Sequence, residues 1–303
     1  MDEKEFILAI DIGGTSVKIG VVYQDNVVEY EVVRNVFKGD YTLLINGIKD
    51  ICNKYIKQYF IHKIGIGCPG DICNGVVLFA SNLGWKNYDI LNDFKNNFPD
   101  CEVYVENDGN AACNAEMQYG YLKNVQDGIF ICIGRGIGGM VISNGVPIRG
   151  AYQFGGKFGH TVIRVNGRKC NCGRKGCFET YCSVLGLIQN VREANIKETD
   201  ETLKINPLRI SGFQIVQYIQ QGNSMVKNAV KKWNDDMAEG ILNLCNIFDP
   251  KIIVIAGGIT ESGLIDIENL KDKAKNNFFS NVEIKLAKFK SKTGLIGAAS
   301  LVK

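Results

Sequence analysis

The sequence has no strong excess of either charge and no long apolar run. Its 303 residues include 35 Lys and Arg against 32 Asp and Glu, a net charge of +3. The lysines are scattered, which is typical of a solvated surface and gives no case for nucleic-acid binding. No apolar run approaches the roughly 20 residues of a membrane-spanning helix, and the acidic start at residues 1–5 is unlike the basic beginning of a signal peptide. We therefore expect a cytoplasmic protein with neither a nucleic-acid nor a membrane partner.

Segments that would separate domains in the sequence are also missing. The chain has five prolines, no Pro/Ser-rich linker and no low-complexity segment, so domain boundaries must follow from topology. The eleven cysteines are odd in number and three cluster together, which suggests a reducing compartment more than a disulfide framework. Apolar residues make up 46% of the chain, and its length suits two well-packed domains that share one cleft.

Potential nitrogen and sulfur ligands cluster in one segment, residues 160–177, which we call the knuckle. They are His160, Cys170, Cys172 and Cys177. A tetrahedral zinc needs four such ligands, and glycines at 173 and 176 let the chain fold tightly around the metal. Free core cysteines are the alternative, but the neighbours here are Arg and Lys. No second cysteine pair follows, as a nucleic-acid-binding zinc ribbon would need. Cys182 could replace His160 as the fourth ligand.

Near the amino terminus, a glycine turn separates two apolar strands. We call Gly13, Gly14 and Thr15 the first glycine turn. Its glycines permit close backbone approach, and its amides could surround a phosphate. Asp11, at the end of the first strand, could hold a hydrated Mg²⁺ through water. A glycine hairpin without a ligand is the alternative, although such a hairpin needs no acid at this position.

Two further glycine turns extend this pattern. The second glycine turn, residues 134–139, is followed by an apolar strand, whereas a dinucleotide-binding fingerprint must open a helix, so we exclude NAD. Its strand–turn–strand order repeats that of the first turn, which indicates a duplicated domain that closes on a nucleotide from both sides. The third glycine turn, Gly257 and Gly258, ends a buried strand, where ligands gather in parallel sheets.

Polar residues gather at the end of another predicted strand. They are Glu106, Asn107, Asp108 and Asn110. One Asn or Asp at this position would be an ordinary helix N-cap. A cap needs only one of them, so we interpret Asn107 and Asp108 as candidate catalytic or binding residues.

Together these motifs resemble the ROK family (repressor, open reading frame, kinase) of the actin-like sugar-kinase superfamily. The resemblance runs from about Ile7 to the carboxyl end, and its carriers are the three glycine turns, the Asn107–Asp108 pair, and the knuckle with Gly159. Some family members are repressors with a DNA-binding domain before the first glycine turn. Because this chain begins shortly before its first strand, we expect the kinase branch, which moves the γ-phosphate of ATP to a sugar hydroxyl.

The resemblance implies a role for each motif. Asp108 is the implied base, and zinc in the knuckle is implied to be structural. The implied sugar contacts are Asn82, Asn107, Asp108, Lys157, His160 and Glu179. The residues implied to bind ATP with Mg²⁺ are Asp11, Gly13, Gly14, Thr15, Lys18, Gly134, Arg135, Gly136, Gly138, Gly257 and Gly258. Family members are commonly dimers or tetramers, so this chain could form a homodimer or a homotetramer.

Two residues depart from the family pattern. Lys157 takes the place of a glutamate that binds sugar hydroxyls, and an ammonium cannot accept a hydroxyl proton. Arg135 replaces a threonine; arginine suits a phosphate cradle, although it could also occupy the phosphate site itself. We retain three interpretations. The chain is a glucokinase-like kinase for a neutral hexose, a kinase for an anionic or N-acylated sugar (N-acetylmannosamine or N-acetylglucosamine type), or a sugar- or nucleotide-binding homologue with little catalysis.

The predicted fold class is α/β, with two ribonuclease-H-like (actin-like ATPase) domains, a cleft between them and the structural zinc in the larger. We place the smaller domain at residues 1–117, joined by a carboxyl-terminal helix at about 291–303, and the larger at 118–290. Apolar residues at helical spacing from about residue 211 to 248 predict one or two long core helices.

Overall fold

The computed structural model describes residues 5–35, 39–80, 83–152, 154–207, 210–277, 279 and 281–302. Asn82, a predicted sugar contact, lies outside these residues. The chain divides into two compact units. The first comprises Met1–Lys123, Ala151–Phe154 and Ser291–Lys303, and the second comprises Asn124–Gly150 and Gly155–Lys290.

A five-stranded mixed sheet forms the centre of the first unit, in the order β3-β2-β1-β4-β8. Its strands are β1 (Ile7–Ile12), β2 (Ser16–Tyr23), β3 (Asn26–Arg34), β4 (Lys63–Cys68) and β8 (Glu102–Asn107). The first three pair antiparallel, whereas β4 runs parallel to both β1 and β8. A small antiparallel sheet adds β5 (Asp71–Cys73), β6 (Val76–Ala80) and β7 (Trp85–Asp89). The parallel pairing brings the carboxyl ends of β1 and β8 to one edge of the main sheet.

Among the described residues, four helices complete the first unit: α1 (Tyr41–Tyr59), α2 (Ile90–Asn97), α3 (Asp108–Tyr119) and α9 (Thr293–Ala299). In α9, Gly297 lies so close to α3 that a Cβ there would stand 2.4 Å from the Ala111 carbonyl oxygen. Since α3 continues to Tyr119 and packs on α9 in this way, the first unit extends past the boundary predicted at residue 117. Residues 151–154 also belong to it, which no sequence pattern indicated.

The second unit has a five-stranded sheet of the same construction, in the order β11-β10-β9-β12-β13. Its strands are β9 (Gly128–Ile133), β10 (Ile137–Ser143), β11 (Val146–Pro147), β12 (Ile252–Ala256) and β13 (Glu283–Leu286). Here β9, β10 and β11 pair antiparallel, while β12 runs parallel to β9 and β13. Alternating helices and mixed sheets in both units confirm the predicted α/β class.

Helices cover the second sheet with a large apolar core. They are α4 (Glu179–Cys182), α5 (Val184–Lys197), α6 (Gly212–Gln220), α7 (Ser224–Phe248) and α8 (Ile267–Asn276). Two of them, α6 and α7, occupy the segment predicted to hold one or two long helices, and Asn223 begins α7 by accepting a hydrogen bond from the Val226 N–H. The apolar residues that recur at helical spacing on α7 are buried: Val226, Val230, Trp233, Met237, Ile241 and Leu244. In the part of the chain that the structure describes, no helix is both long and apolar enough to cross a bilayer.

Candidate functional site

The first glycine turn joins β1 to β2 and is braced from the end of β3. The Gly13 N–H donates to the Ser16 carbonyl at 2.9 Å. Asn35 holds the other side, because its backbone N–H donates to the Thr15 carbonyl and its Nδ2 donates to the Gly13 carbonyl, each at 2.9 Å. Asn35 is only 6% exposed, and its Oδ1 has no hydrogen-bond partner among the described residues. Sequence reasoning missed Asn35, which reaches the turn only through the pairing of β2 with β3.

The carboxylate of Asp11 lies beside this turn and is mostly buried. Asp11 is paired with Lys18 across the β1–β2 hairpin, and Lys18 Nζ stands 3.6 Å from its Oδ2. Lys18 Nζ also donates to the Ser291 carbonyl at 2.7 Å. Gly294 lies against the carboxylate, leaving no room there for a side chain. Burial raises the pKa of Asp11 above its ordinary value, and the nearby Lys18 ammonium offsets only part of this rise.

At the end of β8, most of the polar cluster stabilises the start of α3. Asn107 is the N-cap, and its Oδ1 accepts from the N–H groups of Gly109 (3.0 Å) and Asn110 (3.2 Å). The Nδ2 of Asn107 donates to the Gly70 carbonyl at 2.9 Å. Glu106 accepts from the Asn107 N–H and from Asn110 Nδ2. Asn107 therefore serves as the cap of α3, and its predicted contact with the sugar stays a prediction.

Asp108 differs from its neighbours because the cap does not depend on it. It is the first residue of α3 and is half-buried. Its Oδ1 accepts from the Gly109 N–H at 2.9 Å, which orients the carboxylate at the amino-terminal end of the helix. A carboxylate held there by the backbone, with a separate residue supplying the cap, can serve as a proton acceptor.

The second and third glycine turns lie at the same sheet edge of the second unit. The second turn closes the β9–β10 hairpin and is followed by a strand, as the sequence predicted. Its Arg135 is exposed. Because β12 runs parallel to β9, Gly257 follows β12 next to the end of β9, where a Cβ on it would stand 2.1 Å from the Ile133 carbonyl oxygen. Open space surrounds the Cβ positions of Gly134, Gly138 and Gly258, so backbone there can approach a ligand.

The knuckle brings its four predicted ligands together. The ligand atoms of His160, Cys170, Cys172 and Cys177 all lie within 4.8 Å of one another. Cys172 Sγ is 3.6 Å from Cys177 Sγ, and Cys170 Sγ is 3.6 Å from His160 Nδ1. In a tetrahedral zinc site with bonds of about 2.0–2.3 Å, ligand atoms stand about 3.3–3.8 Å apart, so this donor set and its spacing fit zinc.

The alternative ligand Cys182 is elsewhere. It is fully buried, and its Sγ lies 3.9 Å from the Trp233 carbonyl oxygen. Burial raises the pKa of this thiol well above its ordinary value, so it behaves as a core residue. Because α4 directs Cys182 into the core, His160 remains the fourth candidate ligand.

Two predicted sugar contacts meet at the knuckle. Glu179 is the first residue of α4, and its Oε1 lies 3.5 Å from His160 Nδ1 and 3.2 Å from Cys170 Sγ. Its Oε2 accepts from the Ile137 N–H at 3.4 Å, next to the second glycine turn. Lys157 is exposed and precedes the short helical turn Phe158–His160, and its carbonyl accepts from the His160 N–H at 3.0 Å. One carboxylate thus contacts two candidate metal ligands, His160 and Cys170, and the backbone of a glycine turn.

A cavity in the second unit lies apart from these residues. Its volume is about 580 Å³, and it is lined by α7, α8 and residues 263–266. None of the predicted site residues lines it.

Comparison with known proteins supports the family resemblance that the sequence motifs indicated. A family model described as the ROK family matches residues 7–303. Glucokinase from Thermotoga maritima is 27% identical, over 98% of this chain and 97% of its own length. The xylose repressor of Caldicellulosiruptor bescii is 29% identical, over 98% of this chain and 77% of its own length. A ROK family glucokinase from Streptomyces griseus, solved in complex with glucose and AMPPNP, has a TM-score of 0.81 at 25% identity, with 98% of both chains covered.

Proposed function

The chain belongs to the ROK family, as its motifs predicted, and we propose that it is a kinase that transfers the γ-phosphoryl group of ATP to a hydroxyl of a hexose. The observation that carries this proposal is the separation of roles at the start of α3, where Asn107 caps the helix and Asp108 presents a backbone-oriented carboxylate. The similarity to glucokinases across nearly the whole chain supports it.

Asp108 is the proposed catalytic base. Phosphoryl transfer depends mainly on positioning and charge neutralisation, so the protein needs phosphate cradles and a proton acceptor. The sugar hydroxyl gives its proton to Asp108, its oxygen bonds to the γ-phosphorus, and the bond from that phosphorus to the bridging oxygen of ADP breaks. In this step, Asp108 acts only through its side-chain carboxylate.

We assign the three glycine turns to the nucleotide. The first turn, braced by Asn35, and the second turn, with open space at Gly134 and Gly138, suit phosphate groups. Arg135 adds a guanidinium, which binds phosphate oxygens through two parallel hydrogen bonds. Gly258 has open space for the adenosine.

Two metal ions suit the donors that this chain offers. Mg²⁺ usually uses one or two carboxylates together with substrate phosphates and water, and Asp11 is such a carboxylate; the ion would neutralise phosphate charge. Zinc would be held by His160 and the three knuckle cysteines, and its contribution would be folding energy, since these ligands fill a tetrahedral site.

Lys157 bears on the choice of sugar. Our first choice is a neutral hexose, because Asp108 and Glu179 supply carboxylate acceptors for hydroxyl groups. The alternative is an anionic or N-acylated sugar whose carboxylate or acyl oxygen accepts from Lys157. Lys157→Glu separates the two: we expect it to improve the use of a neutral hexose in the first case and to abolish activity in the second.

A sugar-responsive regulator with little catalysis is the second candidate, and the observation that favours it is the similarity to a xylose repressor over 98% of the chain. Such a protein would bind a sugar without turning it over.

A substrate panel tests the kinase proposal. Purified protein with Mg-ATP should release ADP when it is given glucose or a related hexose. The panel contains neutral, N-acetylated and acidic sugars, and calorimetry measures the binding of each one in parallel. Absence of ADP release with every sugar would overturn the kinase proposal, and binding without turnover would favour the regulator.

A further inference from the structure

Arg168, a knuckle residue that no motif singled out, connects this segment to α4 and α5. Its side chain is only 18% exposed. Its Nε and Nη2 donate to the two carboxylate oxygens of Glu193 on α5, at 3.1 and 2.7 Å. Nη2 also donates to Asn190 Oδ1 at 2.7 Å, and Nη1 donates to the Thr180 carbonyl at 2.8 Å. A planar guanidinium can make these bonds at once, and an ammonium cannot.

Tyr181 on α4 also contacts the segment around Arg168. Its ring lies 4.7 Å from the Arg168 guanidinium and 5.0 Å from that of Arg164. The Arg168 N–H donates to the Tyr181 hydroxyl at 2.8 Å, and the Gly176 N–H donates to the Arg168 carbonyl at 2.8 Å. Arg168 therefore contacts Gly176 within the knuckle, and it contacts α4 through Thr180 and Tyr181.

Glu179 stands immediately before these two α4 residues. Its carboxylate reaches His160 on one side and the Ile137 N–H on the other, so a small rotation of α4 would break one of the contacts. In the structure, α4 is only four residues long, Glu179–Cys182, and has no side-chain cap. A helix this short depends on tertiary contacts for its orientation.

We propose that Arg168 is a positioning residue: by holding the Thr180 carbonyl and Tyr181 against α5, it fixes the direction in which Glu179 presents its carboxylate. The consequence for sugar binding rests on the proposed function, in which Glu179 contacts the sugar. Burial raises the pKa of Glu193, but hydrogen bonds from Arg168 and Gln189 outweigh it and leave that pKa below its ordinary value, so the Arg168–Glu193 pair is charged at neutral pH.

The test compares Arg168→Ala and Arg168→Lys with a matched control, Arg164→Ala. Arg164 also stacks on Tyr181, but its ion pair is with Asp236 on α7, and the bonds to Thr180 and α5 remain when it is removed. Hydrogen exchange in peptides covering residues 134–139 and 178–182 reports the positioning without any need for activity. Metal content is measured for each variant to confirm that the knuckle is still loaded.

We expect Arg168→Ala to speed exchange in both peptides and to raise the sugar KM about tenfold, the equivalent of one lost charge-assisted hydrogen bond. The KM for ATP should rise by a smaller factor, because Glu179 acts on the nucleotide only through the second glycine turn, whereas in the proposed function it contacts the sugar itself. Arg168→Lys should lie between Arg168→Ala and the wild type, and it decides the matter if Arg168→Ala does not fold. The control should show wild-type exchange at residues 178–182.

Unchanged exchange in Arg168→Ala, or an equal effect in Arg164→Ala, would overturn the proposal. A larger rise in the KM for ATP than in the sugar KM would also overturn it. If the wild type phosphorylates no sugar, the kinase proposal fails, and the exchange data still decide whether Arg168 positions α4.

Discussion

Asp108→Asn separates catalysis from folding at the start of α3. The substitution keeps the size and shape of the side chain, and an amide oxygen can still accept from the Gly109 N–H, which now lies 2.9 Å from Oδ1. Asn107 continues to cap the helix with its two N–H contacts. What the variant loses is the negative charge and the ability to take a proton.

The expected magnitudes of the two effects differ widely. An acidic residue in the first turn of a helix contributes about 0.3–1 kcal/mol through the helix dipole, which corresponds to a Tm decrease of about 0.5–1.5 °C in a protein of this size. Loss of a general base lowers kcat by about 10²–10⁴, which is about 2.7–5.5 kcal/mol in activation free energy. The effect on catalysis should therefore exceed the effect on stability several-fold.

The assay measures ADP release at saturating ATP and sugar, together with thermal unfolding. Asn107→Ala serves as the stability control, since removal of an N-cap costs about 1 kcal/mol and leaves two N–H groups without their acceptor. Its Tm should fall at least as far as that of Asp108→Asn. If Asp108→Asn keeps more than about a tenth of the wild-type kcat, a loss too small for a general base, Asp108 is not the base.

Three further outcomes follow from the geometry. Cys172→Ser should reduce zinc content below the one equivalent per chain expected for the wild type and lower the Tm, as measured by elemental analysis and calorimetry; a metal-free wild type would contradict the zinc assignment. Since burial raises the pKa of Asp11, the folded chain binds that proton more tightly than the unfolded chain, so stability contributed by the protonated group is lost as pH rises from about 3.9 through the folded value. Asp11→Asn mimics the protonated group, so its gain in unfolding free energy over the wild type should be larger at pH 7 than at pH 4 in denaturant titrations. Its kinase activity should be reduced. An equal difference at both pH values would refute this reasoning. Asn35→Ala removes the hydrogen bond to the Gly13 carbonyl but also an unpaired buried Oδ1, so stability should change by less than about 1 kcal/mol while the KM for ATP rises; an unchanged KM would show that the brace does not affect the first glycine turn.

Features carried by neighbouring residues could be predicted from the sequence. The knuckle ligands stand within one short segment, and Gly176 adopts a φ of +80° that its turn requires, so the spacing alone indicated a metal group. The two glycine hairpins were recognisable because strand, turn and strand are consecutive. The long α7 was equally clear from its buried apolar stripe.

Features that depend on distant residues could not be predicted. Asn35 braces a turn that lies 22 residues away from it at Gly13, and Arg168 reaches Glu193 across 25 residues. Neither contact leaves a periodic pattern, since each depends on which strand or helix becomes a neighbour. The division into units depends on distant residues in the same way, because the packing of α9 on α3 joins the two ends of the first unit, Met1–Lys123 and Ser291–Lys303.

The sequence by itself therefore determined the family, the α/β class, the cysteine spacing of the knuckle and the positions of the glycine turns. These are properties of local chain geometry and donor chemistry, which a short segment carries wherever it stands. Only the tertiary structure decided that Asn107 is the cap while Asp108 is not, that Cys182 is a core residue, and that Glu179 lies between His160 and the second glycine turn. The direction of a polar side chain depends on the partners that packing brings to it, and those partners come from distant parts of the chain.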